Sequence, residues 1–301
     1  MGKLNLLVQS IITGILLGGL YAVIGIGMSL VFGIMKLTNI AHGDLMIMAS
    51  YLTMFFSMDL LGGLFSSYLL TVVLALLITI VIMLILSWLI QSFLVNRVID
   101  KGTEPPLLIM FGVSIIIRNA LLLLFGANNK VIPNPLSTTN ILNSPNISIS
   151  GGYLVNFVIG LAVIFALMFI IHKTYFGMSI RATSSNRTGA ELLGINTKRI
   201  FSYTLCLAVV TASIAGLLVG QTFVFYPSTG PQYLIIAFGV VVIGGMGSLG
   251  GTLAGGIIFG LAQLLGAYFF GTGWQTITGY VFMLIILTIR PQGIFAKAVR
   301  R

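Results

Sequence analysis

Asn39, His42 and Asp44 stand close together in the stretch LTNIAHGDLMIMASYL, Leu37–Leu52, with long apolar runs on both sides. A histidine and a carboxylate at this spacing suggest proton transfer. At i and i+2 of a regular helix, however, the two side chains point to different faces, so a dyad needs irregular backbone around Gly43. Imidazole, carboxylate and thiol are also metal-ligand types. The chain offers only His42 and His172 as histidines, with His172 beside Lys173, and Cys206 as its one thiol, so no metal cluster is available. No phosphate-cradling G-x-x-x-x-G-K-[ST], no G-x-S-x-G elbow and no H-E-x-x-H is present, which argues against an enzyme. Polar and ionisable groups inside a membrane face a cavity or a partner. On that principle Asn39, His42, Asp44 and Arg118, with Asn119, are candidates for a polar path. Arg118 lies about eleven residues into the apolar run 107–125, near mid-bilayer at about 1.5 Å per residue. Two roles fit it: neutralisation by Asp44 or by backbone carbonyls, and a place on the path.

These side chains must be held by membrane-spanning helices. Of 301 residues, 58% are hydrophobic and 7% charged, with a mean hydropathy of +1.12. Several runs exceed the ~18 residues that mark a spanning helix. Alternating barrel strands are absent, so the fold class is an all-α polytopic membrane protein whose helices satisfy their own backbone hydrogen bonds in lipid. Eight spans are expected, at 6–34, 45–62, 66–90, 107–125, 153–172, 200–225, a glycine-interrupted pair 232–248 and 252–270, and 273–290. Counted singly, they make nine segments in a single transmembrane domain, 1–301. The first is read as a retained span, because its apolar run continues past residue 30 with no A-x-A cleavage site.

The net charge of +10 is scattered over the connections, which speaks for topology and against nucleic acid. The connection 173–199, with Lys173, Arg181, Arg187, Lys198 and Arg199, is placed in the cytoplasm with 91–106 and the tail residues Lys297, Arg300 and Arg301. The Pro/Asn/Ser-rich connection 126–152 is placed outside. If all nine segments cross, the N-terminus is outside and the tail inside. A re-entrant dip at 36–44 would change the orientation of the first helix.

Glycine concentrates in GVVVIGGMGSLGGTLAGGIIFG, residues 239–260. Gly247, Gly251 and Gly255 recur every fourth residue, as do Gly256 and Gly260, a spacing that lets helices pack closely in lipid. The denser cluster of Gly244, Gly245, Gly247, Gly250 and Gly251 is too glycine-rich for a regular helix and marks an unwound break. With Gly43, these are the expected break and packing glycines. Transporters place such breaks where helix N-termini face substrate, which makes Ser248 and Thr252 path candidates as well.

The connection HKTYFGMSIRATSSNRTGAELLGINTKRIFSYT, His172–Thr204, reads in its middle, Arg187–Ile195, as a short amphipathic helix ended by Gly194-Ile195-Asn196. Taken alone, that helix fits either a membrane surface or a protein cleft. The pattern of Tyr175, Gly177, Ile180-Arg181-Ala182, Asn186, Ala190 and Leu192-Leu193-Gly194-Ile195 resembles the coupling loop of ABC-transporter permeases, in particular the LivH-type branched-chain amino acid permeases. LVFGIMKLTNIAHGDLMIMASYL, AFGVVVIGGMGSLGGTLAGG and IRPQGIF, Ile289–Phe295, resemble the same family, so the likeness runs over essentially the whole chain. Gly189 and Glu191 depart from the family's paired alanines beside Ala190.

The resemblance implies a permease subunit of the bacterial cytoplasmic (inner) membrane that moves leucine, isoleucine or valine inward. It binds no cofactor of its own. Its partners are a second homologous permease, two cytoplasmic subunits that use ATP and an external substrate-binding protein. Arg181, Asn186, Arg187, Ala190, Glu191, Leu192, Leu193 and Gly194 are the residues of the implied coupling loop. Related importers for urea, a short amide or a nucleoside share these motifs. An ion-coupled secondary transporter is the reading from another class, and it would have to rely on Asp44 as its one intramembrane carboxylate.

Overall fold

The computed structural model describes residues 3–62, 65, 67–135, 139–143 and 148–295. The basic tail residues Lys297, Arg300 and Arg301 lie outside them, as do 136–138 and 144–147 of the polar connection. Eleven helices of α type are described: α1 Lys3–Met35, α2 His42–Phe55, α3 Tyr68–Leu89, α4 Glu104–Phe125, α5 Gly151–Lys173, α6 Tyr175–Ser185, α7 Arg187–Leu192, α8 Thr197–Thr222, α9 Gly230–Gly244, α10 Leu249–Phe270 and α11 Gln275–Ile289. Among the described residues, 8 helical stretches are long and apolar enough to cross a membrane. The polar connection adds a small antiparallel ladder, β1 Asn140–Asn143 with β2 Ser148–Ser150.

The segment expected as a span at 45–62 differs. Helix α2 begins earlier, at His42, has 14 residues, and continues as a π-helical turn over Phe56–Leu60, and it is not one of the eight. Lys36 closes α1 with a left-handed φ of 53°, and residues 36–39 form no regular structure before a turn in which the His42 amide donates to Asn39 O at 3.2 Å. The start of α1 is tied to the polar connection, where the Ser148 amide donates to Gln9 Oε1 at 3.0 Å. Its last turn is tied to the basic connection, where Ser184 Oγ donates to Gly33 O at 2.6 Å.

The chain forms two compact units. The first contains Met1–Ser29, Pro133–Met168 and Ile235–Arg301. Glycine lets its helices touch backbone to backbone: a Cβ on Gly18 would lie 2.4 Å from Ile257 Cα, and one on Gly256 would lie 2.5 Å from Gly18 O. Gly256 and Gly260 of α10 therefore pack against α1, in the way small-residue stripes do in lipid, whereas Gly255 packs against Val240 and Gly244 of α9. Within this interior Tyr21 OH donates to Gln263 Oε1 at 2.7 Å, satisfying two buried polar groups at once.

The second unit contains Leu30–Ile132 and Phe169–Leu234. Its centre is α2, buried along nearly its whole length. Ser50 Oγ of α2 donates to Gly216 O of α8 at 2.7 Å, and Thr53 Oγ1 donates to Thr79 Oγ1 of α3 at 3.1 Å. Helix α4 starts with prolines in its first turn, where missing N–H groups leave no helical bond unmade, and stops at Gly126 with φ 75°.

Candidate functional site

In the second unit, Asp44 stands in the first turn of α2, and its carboxylate is 3% exposed. Two residues of α4, one helical turn apart, converge on it. Ser114 Oγ donates to Asp44 Oδ2 at 2.5 Å, Arg118 Nη2 donates to the same oxygen at 3.3 Å, and Arg118 Nε donates to Oδ1 at 3.4 Å. The position at a helix N-terminus adds favourable backbone dipoles to this carboxylate. Gly43 and Gly230 let α2 and the start of α9 approach. A Cβ on Gly43 would lie 2.0 Å from Gly230 O, and one on Gly230 would lie 2.1 Å from Asp44 Oδ1. Arg118 is thus paired with Asp44, and the pairing leaves its place on the path open. Ser114 and Gly230 escaped the sequence reading. The i, i+4 spacing of Ser114 and Arg118 was the available signal for the first.

His42 is buried at the head of α2, two positions before Asp44 in the same first turn. Asn39 is 3% exposed, and neither of its amide atoms has a hydrogen-bond partner among the described residues. It borders a cavity of about 20 Å³ whose other walls include Val31, Gln91, Met110 and Leu205. That volume admits about one water molecule. It is too small for an amino-acid side chain.

The glycine break belongs to the first unit. Helix α9 ends at Gly244, Gly245 and Gly247 take φ of 94° and 83°, and α10 starts after Ser248. A Cβ on Gly251 would lie 2.0 Å from Gly244 O, so the turn closes with the two helices in contact. Ser248 Oγ caps α10 by accepting from the Gly251 amide at 3.1 Å, and Thr252 Oγ1 donates to Ser248 O at 2.8 Å. Both path candidates on this side thus spend their hydroxyls on the helix start. Gly250 differs from the other break glycines: an added Cβ would meet nothing within 4 Å, and its φ is not left-handed. The IRPQGIF segment, through the Ile294 amide, donates to Ile243 O at 2.9 Å and braces the break.

The basic connection is more ordered than one short helix. Thr174 caps α6, Asn186 Oδ1 caps α7 by accepting from the Gly189 amide at 2.9 Å, and Asn196 caps α8. Helix α7 spans Arg187–Leu192, and Gly194 with φ 82° turns the chain out of it. Arg181 donates to Ile171 O. Arg187 reaches Asp100 at 2.5 Å and Glu191 at 3.2 Å, while Lys198 reaches Asp100 at 2.7 Å. Thr197 Oγ1 donates to Glu191 Oε1 at 2.5 Å. Asp100 is held below the usual carboxylate range, first by its bond from Lys198 and then by that from Arg187. Glu191 is lowered first by Thr197 and then by Arg187. Ala190 is the buried side of α7, whereas Leu192 and Leu193 are 84% and 82% exposed. The sequence pointed to Arg187 and Glu191 but missed Asp100, which lies far from them in the chain.

The family described as "Branched-chain amino acid transport system / permease component" matches residues 10–289. The high-affinity branched-chain amino acid transport system permease protein BraD of Pseudomonas aeruginosa is 29% identical over 294 residues, 96% of this chain and 95% of that protein. LivH of Escherichia coli, described in the same words, is likewise 29% identical over 294 residues, with 96% and 95% covered. The autoinducer 2 import system permease protein LsrC of Yersinia enterocolitica is 37% identical over 107 residues, 35% of this chain and 28% of that protein. No solved structure matches the chain.

Proposed function

The chain belongs to the family of branched-chain amino acid transport permease components, and from that membership we propose that it is the membrane-spanning subunit of an ATP-driven importer of leucine, isoleucine or valine. The observation that carries this reading is similarity along nearly the full length of both this chain and the two permeases BraD and LivH. The autoinducer 2 relative is matched over only a third of the chain, so the amino-acid cargo is the better supported one.

The protein is a multi-pass membrane protein of the cytoplasmic membrane and a transport component, and its two units act together as one permease domain. The exposed Leu192 and Leu193, at the end of α7, sit on a connection fixed by caps and ion pairs. This suits docking into a cleft of a cytoplasmic ATP-binding subunit, where burial of Leu192 and Leu193 would contribute roughly 1.5–3 kcal/mol each. The assembly would contain this chain, a homologous permease, two ATP-binding subunits and an external binding protein. ATP is used by those partners, and this chain binds no cofactor itself.

In this reading the polar group at Asn39, His42, Asp44 and Arg118 serves the translocation path, and the break at Gly244–Gly251 allows α9 and α10 to move. The test is uptake of radiolabelled leucine into proteoliposomes holding the complete transporter, with ATP inside and loaded binding protein outside. Leucine accumulation that requires ATP is expected. Accumulation of urea, a short amide or a nucleoside in place of leucine would overturn the cargo. Accumulation driven by an ion gradient without the ATP-binding subunits would overturn the mechanism.

A further inference from the structure

We propose that Arg118 binds the carboxylate of the transported solute by exchanging its bond to Asp44, so that the ion pair of α2 and α4 is a substrate-responsive contact. This rests on the importer reading and names the group on this chain that meets the charged end of the cargo.

The asymmetry of the pair carries the inference. The Asp44 carboxylate is 3% exposed, whereas the Arg118 side chain is 33% exposed. Arg118 uses only Nε and Nη2 toward Asp44 and Ser114, at 3.3–3.4 Å, and Nη1 makes no hydrogen bond among the described residues. A guanidinium carries five N–H donors in a planar fork, so a second carboxylate can take the open edge in bidentate geometry. Asp44 has other support when Arg118 turns away. It keeps the 2.5 Å bond from Ser114, and it stays in the first turn of α2.

The surroundings of that open edge also fit the cargo. Arg118 lies seven residues before the end of α4 at Phe125, about 10 Å inside it at about 1.5 Å per residue. Phe111, Ile115 and Leu122 are exposed on the same side of α4, with the amide of Asn119 among them. Lipid is a poor neighbour for an exposed guanidinium and amide at that depth. A zwitterion with a branched apolar side chain matches the face: carboxylate to Arg118, side chain to the apolar stripe. Return of Asp44 to Arg118 would release the carboxylate, which lets the contact be specific without being tight.

The experiment uses the complete transporter in proteoliposomes and compares the wild type with Arg118→Lys and with the double variant Asp44→Asn/Arg118→Gln. The double variant leaves no unpaired buried charge, so it separates folding from transport. It is expected to assemble with the second permease, to keep ATP hydrolysis stimulated by loaded binding protein, and to lose about tenfold or more of its leucine uptake per ATP hydrolysed. Arg118→Lys, which keeps the charge but not the fork, is expected to fall between the two. Wild-type uptake by the double variant would show that Arg118 only neutralises Asp44, and would overturn the proposal while leaving the importer reading intact. Separation of the double variant from the second permease in gel filtration would assign this face to the subunit interface and overturn it as well. If the wild type carries some other carboxylate-bearing solute, the same ratio measured with that solute decides. Uptake only of a solute without a carboxylate, such as urea, would overturn both readings.

Discussion

Gly230 is the position where the smallest change should reach the Asp44 carboxylate. An added methyl would lie 2.1 Å from Oδ1 and 2.7 Å from Cγ, so Gly230→Ala must displace the carboxylate from Ser114 and Arg118. We expect a loss of about 1–3 kcal/mol, the usual range for overpacking, read as a lower melting temperature of the detergent-solubilised permease. Gly250→Ala supplies the control. Its added methyl meets nothing within 4 Å, and alanine favours a helix over glycine by about 1 kcal/mol, so its melting temperature should be unchanged or higher. Equal destabilisation by the two would show that Gly230 does not abut Asp44. Neither glycine could be ranked from sequence, because both sit in polar or glycine-rich punctuation and differ only in what stands opposite.

The break between α9 and α10 and the capped connection around α7 are the two elements that depend on special backbone. Gly245 and Gly247 have left-handed φ, which costs a residue with a Cβ about 1–2 kcal/mol. Gly251→Leu is far more severe, since its Cβ would start 2.0 Å from Gly244 O. Leucine uptake should be abolished by Gly251→Leu and largely kept by Leu253→Ala, a half-buried position in the same helix. In the basic connection, Asp100 and Glu191 titrate below the ordinary carboxylate range. A folded-state value below the unfolded one means that their bonds support the connection above about pH 4 and that this support fades as pH falls through the depressed values. Amide exchange over residues 187–193, corrected for intrinsic rates, should therefore rise only on the acid side of about pH 4. The combination of Asp100→Asn and Glu191→Gln should bring the faster exchange to neutral pH. A rise between pH 6 and 8 would point to another group.

For the whole molecule, the consequence that matters is assembly. Leu193 is 82% exposed, so Leu193→Glu should leave the melting temperature of the permease unchanged while cutting co-purification of the ATP-binding subunits about tenfold or more. Retained co-purification, with hydrolysis still stimulated by loaded binding protein, would remove α7 from the coupling role. The sequence by itself determined the membrane class, the spans at both ends, the existence of the break and the position of the amphipathic helix. Each of these follows from local hydropathy, glycine density or capping residues, which act over one or two helical turns. It also brought Asp44 and Arg118 to notice, because charge within apolar runs is conspicuous wherever it falls. The tertiary structure alone decided that α2 begins at His42 as a buried inner helix, since the polar residues of 36–44 mark an interruption without showing the left-handed turn at Lys36 or what packs around the helix that follows. Only the packing of α4 on α2 paired Asp44 with Ser114 and Arg118, and only the close approach at Gly230 fixed the carboxylate there. Asp100 joined Arg187 and Lys198 for the same reason. Contacts between residues distant in the chain depend on which helix faces meet, and hydropathy marks that a face is apolar without saying what lies against it.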